Sequence, residues 1–187
     1  AAILGITPGV SLAGGNGGAA GASTQGGTAG TAGAGGAAIV AGGGATVLNI
    51  GTITAGNSGA GVAGDAIRFN GGGANTLSLE GTSVITGNVV ATAGGTDRLV
   101  LGGTAAGSFD ASAIGTGAQY RNFASFVKSG SSTWTLSGTT ADVTPWSITA
   151  DTLSIASDAS LGNAAGALAL SGGGTLLTSA STDSTRS

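Results

Sequence analysis

A short alternating unit, x-Leu-x-Leu/Ile-x-Gly, recurs along the chain and limits its fold more than any other feature. It occurs at Val47–Gly51, Thr76–Gly81 (TLSLEG), Arg98–Gly102 (RLVLG), Thr133–Gly138 (TWTLSG), Thr152–Ser157 (TLSIAS) and Ala167–Gly172 (ALALSG). Period-two alternation closed off by Gly, Asn, Ser or Asp is the pattern of a half-buried strand running into a turn. Ala66–Asn70, Ser83–Val90, Phe123–Lys128 and Ser147–Ala150 read as further strands. No stretch carries a 3.6-residue apolar period with caps, and glycine interrupts the Ala-rich text at Gly33–Ala38 too often for a helix.

A longer repeat contains the short one. AIVAGGGATVLNIGTITAGN (Ala38–Asn57) lies over AIRFNGGGANTLSLEGTSVITGN (Ala66–Asn88), setting Ile39 on Ile67, Gly42–Gly44 on Gly71–Gly73, Leu48 on Leu77 and Ile50 on Leu79. Repeated sequence implies repeated environments. The fold class expected is all-β, a parallel β-helix (β-solenoid) of roughly six to nine rungs at ~20–30 residues per turn. A sandwich or barrel of short strands is the competing architecture, and it does not call for the repeat.

Composition agrees with a solenoid. Of the 187 residues, 121 are Gly, Ala, Thr or Ser. Such side chains bury little area each, so a helical or α/β domain of this length would lack a core. A solenoid needs only one or two apolar side chains per strand. Glycine supplies its tight turns, and Thr and Ser give the outer faces strand propensity without charge. Net charge −3 with 41% hydrophobic residues argues against charge-driven disorder. Two parts are distinguished: residues 1–44, rich in Gly and Ala, and residues 45–187, one continuous solenoid. Within the first, the stretch Ala13–Gly44 reads either as loose linker or as rungs or a flap laid against the solenoid.

The missing residue types exclude much chemistry. With no His and no Cys there is no zinc site of the usual kind, no Ser-His-Asp or Cys-His catalysis and no disulfide. Five cations (Arg68, Arg98, Arg121, Lys128, Arg186) are too few for a nucleic-acid surface. Gly59-Ala-Gly61-Val-Ala-Gly64 satisfies G-x-G-x-x-G but lacks the strand before and helix after that a dinucleotide fingerprint needs. Aspartates at 65, 97, 110, 142, 151 and 158 form no ladder of calcium ligands. Glu80 and Asp97 stand at different ends of their strands, which disfavours a carboxylate pair for sugar hydrolysis. Thr52-Ile-Thr54 does not recur from strand to strand as an ice-binding face requires. No catalytic residue, cofactor or metal ligand is therefore assigned.

Aromatic residues gather late, at Phe109, Tyr120, Phe123, Phe126, Trp134 and Trp146, and read chiefly as core filling. Tyr120, Arg121 and Trp146 are the candidates for contact with a ligand, an aromatic ring stacking on a sugar. The start AAILGITPGV lacks the charged n-region and apolar core of a signal peptide, and no apolar run nears the ~20 residues of a membrane helix. The chain reads as a piece of a longer one.

The run Leu77–Thr139 resembles the passenger domains of bacterial autotransporters. Those chains join a strand of type LxLxxGSxIxGNV to a DxLxLGG strand and an F-D element. An aromatic Y-x-N-F-x-x-F-x-K-x-G segment and a TWTLSGT strand follow. The counterparts are Ser83–Val90, Asp97–Gly103, Phe109-Asp110, Tyr120–Gly130 and Thr133–Thr139. Thr152–Ala180 is similar to the passenger-associated strand repeats of the same family. Ala38–Asn57 resembles its N-S-G-T-I-x-G-G rungs, with Ile50 where Ser is usual. The resemblance implies a right-handed β-helical stalk exported by type V secretion through a C-terminal outer-membrane β-barrel. It implies display at the cell surface of a Gram-negative bacterium, non-enzymatic and often adhesive. The partners it implies are a host-surface or matrix glycoprotein, or another copy of the chain. A polysaccharide-binding or polysaccharide-cleaving solenoid is the alternative.

Overall fold

The computed structural model describes residues 2–23, 28–180, 184 and 186. Among these the regular elements are short strands and two 3-10 turns, with no α-helix. The longest sheet has seven strands in the order β1 (Ile3–Ile6), β4 (Thr46–Asn49), β7 (Thr76–Leu79), β10 (Arg98–Leu101), β13 (Ser125–Lys128), β15 (Trp146–Ile148) and β17 (Leu168–Leu170). A second holds β2 (Ser11–Ala13), β5 (Thr52–Thr54) and β8 (Val84–Thr86). A third holds β3 (Ile39–Gly42), β6 (Asp65–Asn70), β9 (Asn88–Val90) and β12 (Tyr120–Arg121). The fourth holds β11 (Gly107–Asp110), β14 (Trp134–Ser137), β16 (Thr152–Ile155) and β18 (Thr175–Thr178). Pairing between these strands is parallel throughout, and in each sheet a strand bonds to the one the chain forms on its next visit. The protein is thus all-β and built on parallel sheets.

Alternation decides what is buried. In the seven-stranded sheet Val47, Leu77, Leu99, Phe126 and Trp146 are in register and buried, while Leu48, Ser78, Val100, Val127 and Ser147 face outward between them. Each buried aliphatic side chain contributes about 1.5–3 kcal/mol. Late in the chain the ladder widens to aromatics. Phe126 packs on Trp146 with centroids 5.2 Å apart, and Phe109 on Tyr120 at 5.1 Å. Leu176, not Leu177, continues the inward column of Trp134 and Leu153.

One expected register is corrected. Ile39 does pair with Ile67, but Val47, not Leu48, pairs with Leu77, and Asn49, not Ile50, pairs with Leu79. A slip of one residue exchanges the two faces, so Leu48 turns outward and Asn49 becomes fully buried. The cause lies at the preceding corner. Asn75 Oδ1 accepts from the Ala45 backbone N–H at 2.9 Å, which locks Ala45 against Asn75 and therefore Thr46 against Thr76.

The glycine-rich segment follows a different rule. Gly36, Gly33 and Gly30 donate to the carbonyls of Gly15, Gly18 and Gly21, a run of bonds at every third residue between antiparallel stretches. Gly56 and Gly59 donate in turn to Gly36 and Gly33, and Gly17 donates to Asn57. Three-residue periodicity belongs to extended chains of the polyproline II kind, which have no internal hydrogen bonds and must find partners alongside. The described residues between Gly14 and Gly36 thus form a layer against 54–59, and Ile39–Gly42 return to the sheet with β6. β1, β2 and β3 share sheets with strands of the later part, so the division at residue 44 is not a break in hydrogen bonding. A Cβ at Gly17 would overlap the Gly33 carbonyl, whereas at Gly18 it would meet nothing. Gly17→Ala should cost about 1–3 kcal/mol through overpacking and strip hydrogen-exchange protection from Gly33, Gly36 and Gly59. Gly18→Ala should leave those amides protected, and equal effects would contradict this packing.

Candidate functional site

The chain after β11 builds one wall of a cleft. Asp110 caps the 3-10 turn Ala111–Ala113, its Oδ1 accepting from Ser112 N–H at 2.9 Å and Ser112 Oγ at 2.7 Å. The loop that follows closes on itself through Gly115 N–H to Tyr120 O and Ala118 N–H to Gly115 O, both 3.1 Å. Beyond β12, Asn122 takes a left-handed conformation at φ 64°, and its Nδ2 donates to Ala91 O at 3.1 Å. That anchor leaves Asn122 Oδ1 without a partner among the described residues.

The opposite wall is the loop before β15. Thr140 Oγ1 donates to Ile114 O at 3.0 Å and accepts from Asp142 N–H at 3.2 Å, so the two walls are tied together. The Asp142 carboxylate lies over Gly115, where its Oδ2 would stand 3.1 Å from a Cβ. The cleft holds about 230 Å³, with Phe123, Phe126, Ile114 and Val143 as apolar lining and Thr116, Tyr120, Asn122 and Asp142 as polar lining. Burial pushes the Tyr120 phenol up to about 12. Its hydroxyl makes no hydrogen bond to another described residue, yet keeps some solvent contact.

The three residues singled out in the sequence fare differently. Tyr120 lines the cleft, its ring packed against Phe109. Trp146 is 1% exposed, packed on Phe126, and its indole N–H is buried without a partner among the described residues. Trp146 therefore offers no open face on which a sugar could stack. Arg121 is half-buried, its Nε donating to Ala118 O at 2.6 Å and a terminal nitrogen to Asn88 Oδ1 at 3.1 Å. It stays on the far side of β12, outside the cleft lining.

Other motifs are accounted for locally. Gly59–Gly64 lies in a turn where Ser58 N–H bonds Val62 O, and strand β6 follows it rather than a helix. Asp65 pairs with Arg68 at 2.6 Å. Glu80 follows β7 and Asp97 precedes β10, so these acids sit at opposite ends of paired parallel strands. Thr52 and Thr54 face Val84 and Thr86 on one side, Ser11 and Ala13 on the other, which is no repeated threonine pair. Among the described residues no three acidic side chains gather as metal ligands.

Sequence reasoning missed Asp142 as a neighbour of Tyr120. The available signal was spacing: they stand 22 residues apart, the separation that also stacks Asn75 on Asp97. A second depression, of about 580 Å³, runs along the outer face of the seven-stranded sheet past Leu48, Ser78, Arg98, Val100 and Val127. Comparison of the chain with protein-family models, with curated proteins and with solved structures finds no match.

Proposed function

We propose that the chain is a structural, surface-displayed segment of the autotransporter-passenger type, a right-handed parallel β-helix that carries adhesive contacts on its loops and no catalysis. The observation that carries this reading is the order in which the chain visits its sheets. It goes through the seven-stranded sheet, then the β2-β5-β8 sheet, then the β3-β6-β9 sheet, three times over. It then alternates between the seven-stranded sheet and the one holding β11, with β12 as the last member of the third. A coil accounts for this order and for the all-parallel pairing together.

The passenger-like text Leu77–Thr139 takes in the eight strands β7 to β14, which is more than one full circuit of the sheets. The low charge and Thr/Ser-rich outer faces suit a chain that crosses membranes unfolded and then packs by backbone pairing. In this reading the barrel belongs to a longer polypeptide, and the partner is a matrix or cell-surface glycoprotein or a second copy. The test is labelling of intact cells of the source organism with an antibody raised against this chain. Label without permeabilisation, removed by external protease, is the expected result. Label that appears only after permeabilisation overturns surface display.

A further inference from the structure

We propose that the cleft between the loops 114–123 and 140–144 binds a single hexopyranose ring of a glycan. The inference deepens the adhesive reading by naming its ligand, and rests on that reading only for its biological setting.

Four side chains lining the cleft have polar atoms left unanswered by the described residues: the Tyr120 hydroxyl, the Thr116 hydroxyl, Asn122 Oδ1 and the Asp142 carboxylate. Unmatched polar groups in a partly dehydrated cleft favour a ligand that brings its own hydrogen bonds. Asp142 and Asn122 Oδ1 only accept here, so the ligand must donate. The two hydroxyls donate as well as accept, so the ligand must also accept. Sugar hydroxyls do both, whereas an ammonium only donates and would leave both O–H groups unanswered. Phosphate or sulfate would meet the Asp142 carboxylate, and no cation lines the cleft. An apolar ligand would strand all four groups. Phe123 beside this polar set offers carbon surface to the C–H groups of a pyranose. At about 230 Å³ the space suits one ring, the rest of a glycan leaving through the open side.

Asn122 supports the assignment independently. A non-glycine residue at φ 64° is a mild strain that persists where surroundings enforce it. The anchoring bond from its Nδ2 to Ala91 O is what turns Oδ1 free.

The test is a titration of the purified 187-residue chain with methyl pyranosides of glucose, galactose, mannose and N-acetylglucosamine, followed by ligand-observed NMR. At least one should bind saturably with a Kd below about 10 mM. Asp142→Ala should weaken that binding at least tenfold. Asp142 is exposed and its carboxylate makes no hydrogen bond among the described residues, so the melting temperature should not move. Tyr120→Phe should weaken binding several-fold while leaving the melting temperature unchanged or raised, because the deleted hydroxyl has no partner among the described residues. A purely structural role for Tyr120 would not separate those two readouts. No saturable binding by any of the four sugars overturns the proposal, as does binding that ignores both substitutions. Tighter binding of butylammonium than of every sugar overturns it in favour of a cation site. Because the titration uses purified chain, its failure leaves surface display untouched, and failed surface labelling leaves the sugar site untouched.

Discussion

Asp97→Ala should lower the stability of this chain by about 3–5 kcal/mol, a large share of what a single domain has to lose. Asp97 is fully buried at the corner before β10. Its Oδ1 accepts from both the backbone N–H and Nδ2 of Asn75, each at 2.8 Å, and its Oδ2 accepts from Thr92 N–H at 2.7 Å. Truncation orphans three donors that water cannot reach freely, and each such loss costs about 1–3 kcal/mol. The damage should also spread along the stack. Asn75 passes the interaction on through its Oδ1 to Ala45, and that bond sets the register of β4. Asp97→Asn keeps the volume but offers one acceptor oxygen in place of two, so it should recover only part of the loss. Urea denaturation measures both variants. Hydrogen exchange at Ala45, Asn75 and Thr92 reads the spread, and a change below about 1 kcal/mol in Asp97→Ala would refute the corner ladder.

What sequence reveals here follows from what repeats. Leu77, Leu79, Leu99 and Leu101 are buried as their alternation predicts, because each sits in a strand whose two neighbours share its pattern. Asn49 breaks that pattern. The text VLNI offers Leu48 and Ile50 as the natural inward pair, and a hydrogen bond from a residue 30 positions away decides otherwise. No local period carries that information. The same holds for the aspartates. As text they look like scattered turn residues, yet Asp97 is a buried joint between strands and Asp142 a wall of the cleft. Only the length of each circuit separates these roles, and the circuits are unequal. Trp146 admits two readings as text, chiefly core filling and otherwise a platform for a sugar, and the register with Phe126 places it in the core. The glycine layer was legible as composition but not as structure, since its three-residue bonding lies outside the strand and helix periods.

Lys128 carries the second large effect, and its sign with pH differs from that of Tyr120. Alternation within SFVK puts Lys128 on the same face as Phe126, and it is fully buried in the column of Asn49, Leu79, Leu101 and Ile148. Its Nζ donates to the carbonyls of Ser129 at 2.7 Å, Ala150 at 3.1 Å and Gly130 at 3.5 Å. Lys128→Ala removes the aliphatic stem and orphans those carbonyls, so it should cost about 3–5 kcal/mol. Lys128→Met refills the space and has no charge to desolvate but leaves the same carbonyls unanswered, so it should cost less than Lys128→Ala, about 1–3 kcal/mol. Burial lowers the Lys128 pKa, partly opposed by the nearby Asp151 carboxylate. With the folded value below the ordinary 10.5, the native state releases this proton first as pH rises. The unfolded chain then holds more protons, and stability climbs with pH through the interval just below 10.5. Tyr120 acts in the opposite sense. Its phenol titrates near 10 when unfolded but at about 12 when folded, so above pH 10 the native state holds the extra proton and stability falls. That two-unit difference amounts to about 2–3 kcal/mol by pH 12. Denaturation midpoints measured from pH 8 to pH 12 should therefore rise and then fall. Lys128→Met should flatten the rise alone, and Tyr120→Phe the fall alone. A rise that survives Lys128→Met would show that the buried ammonium is not its source.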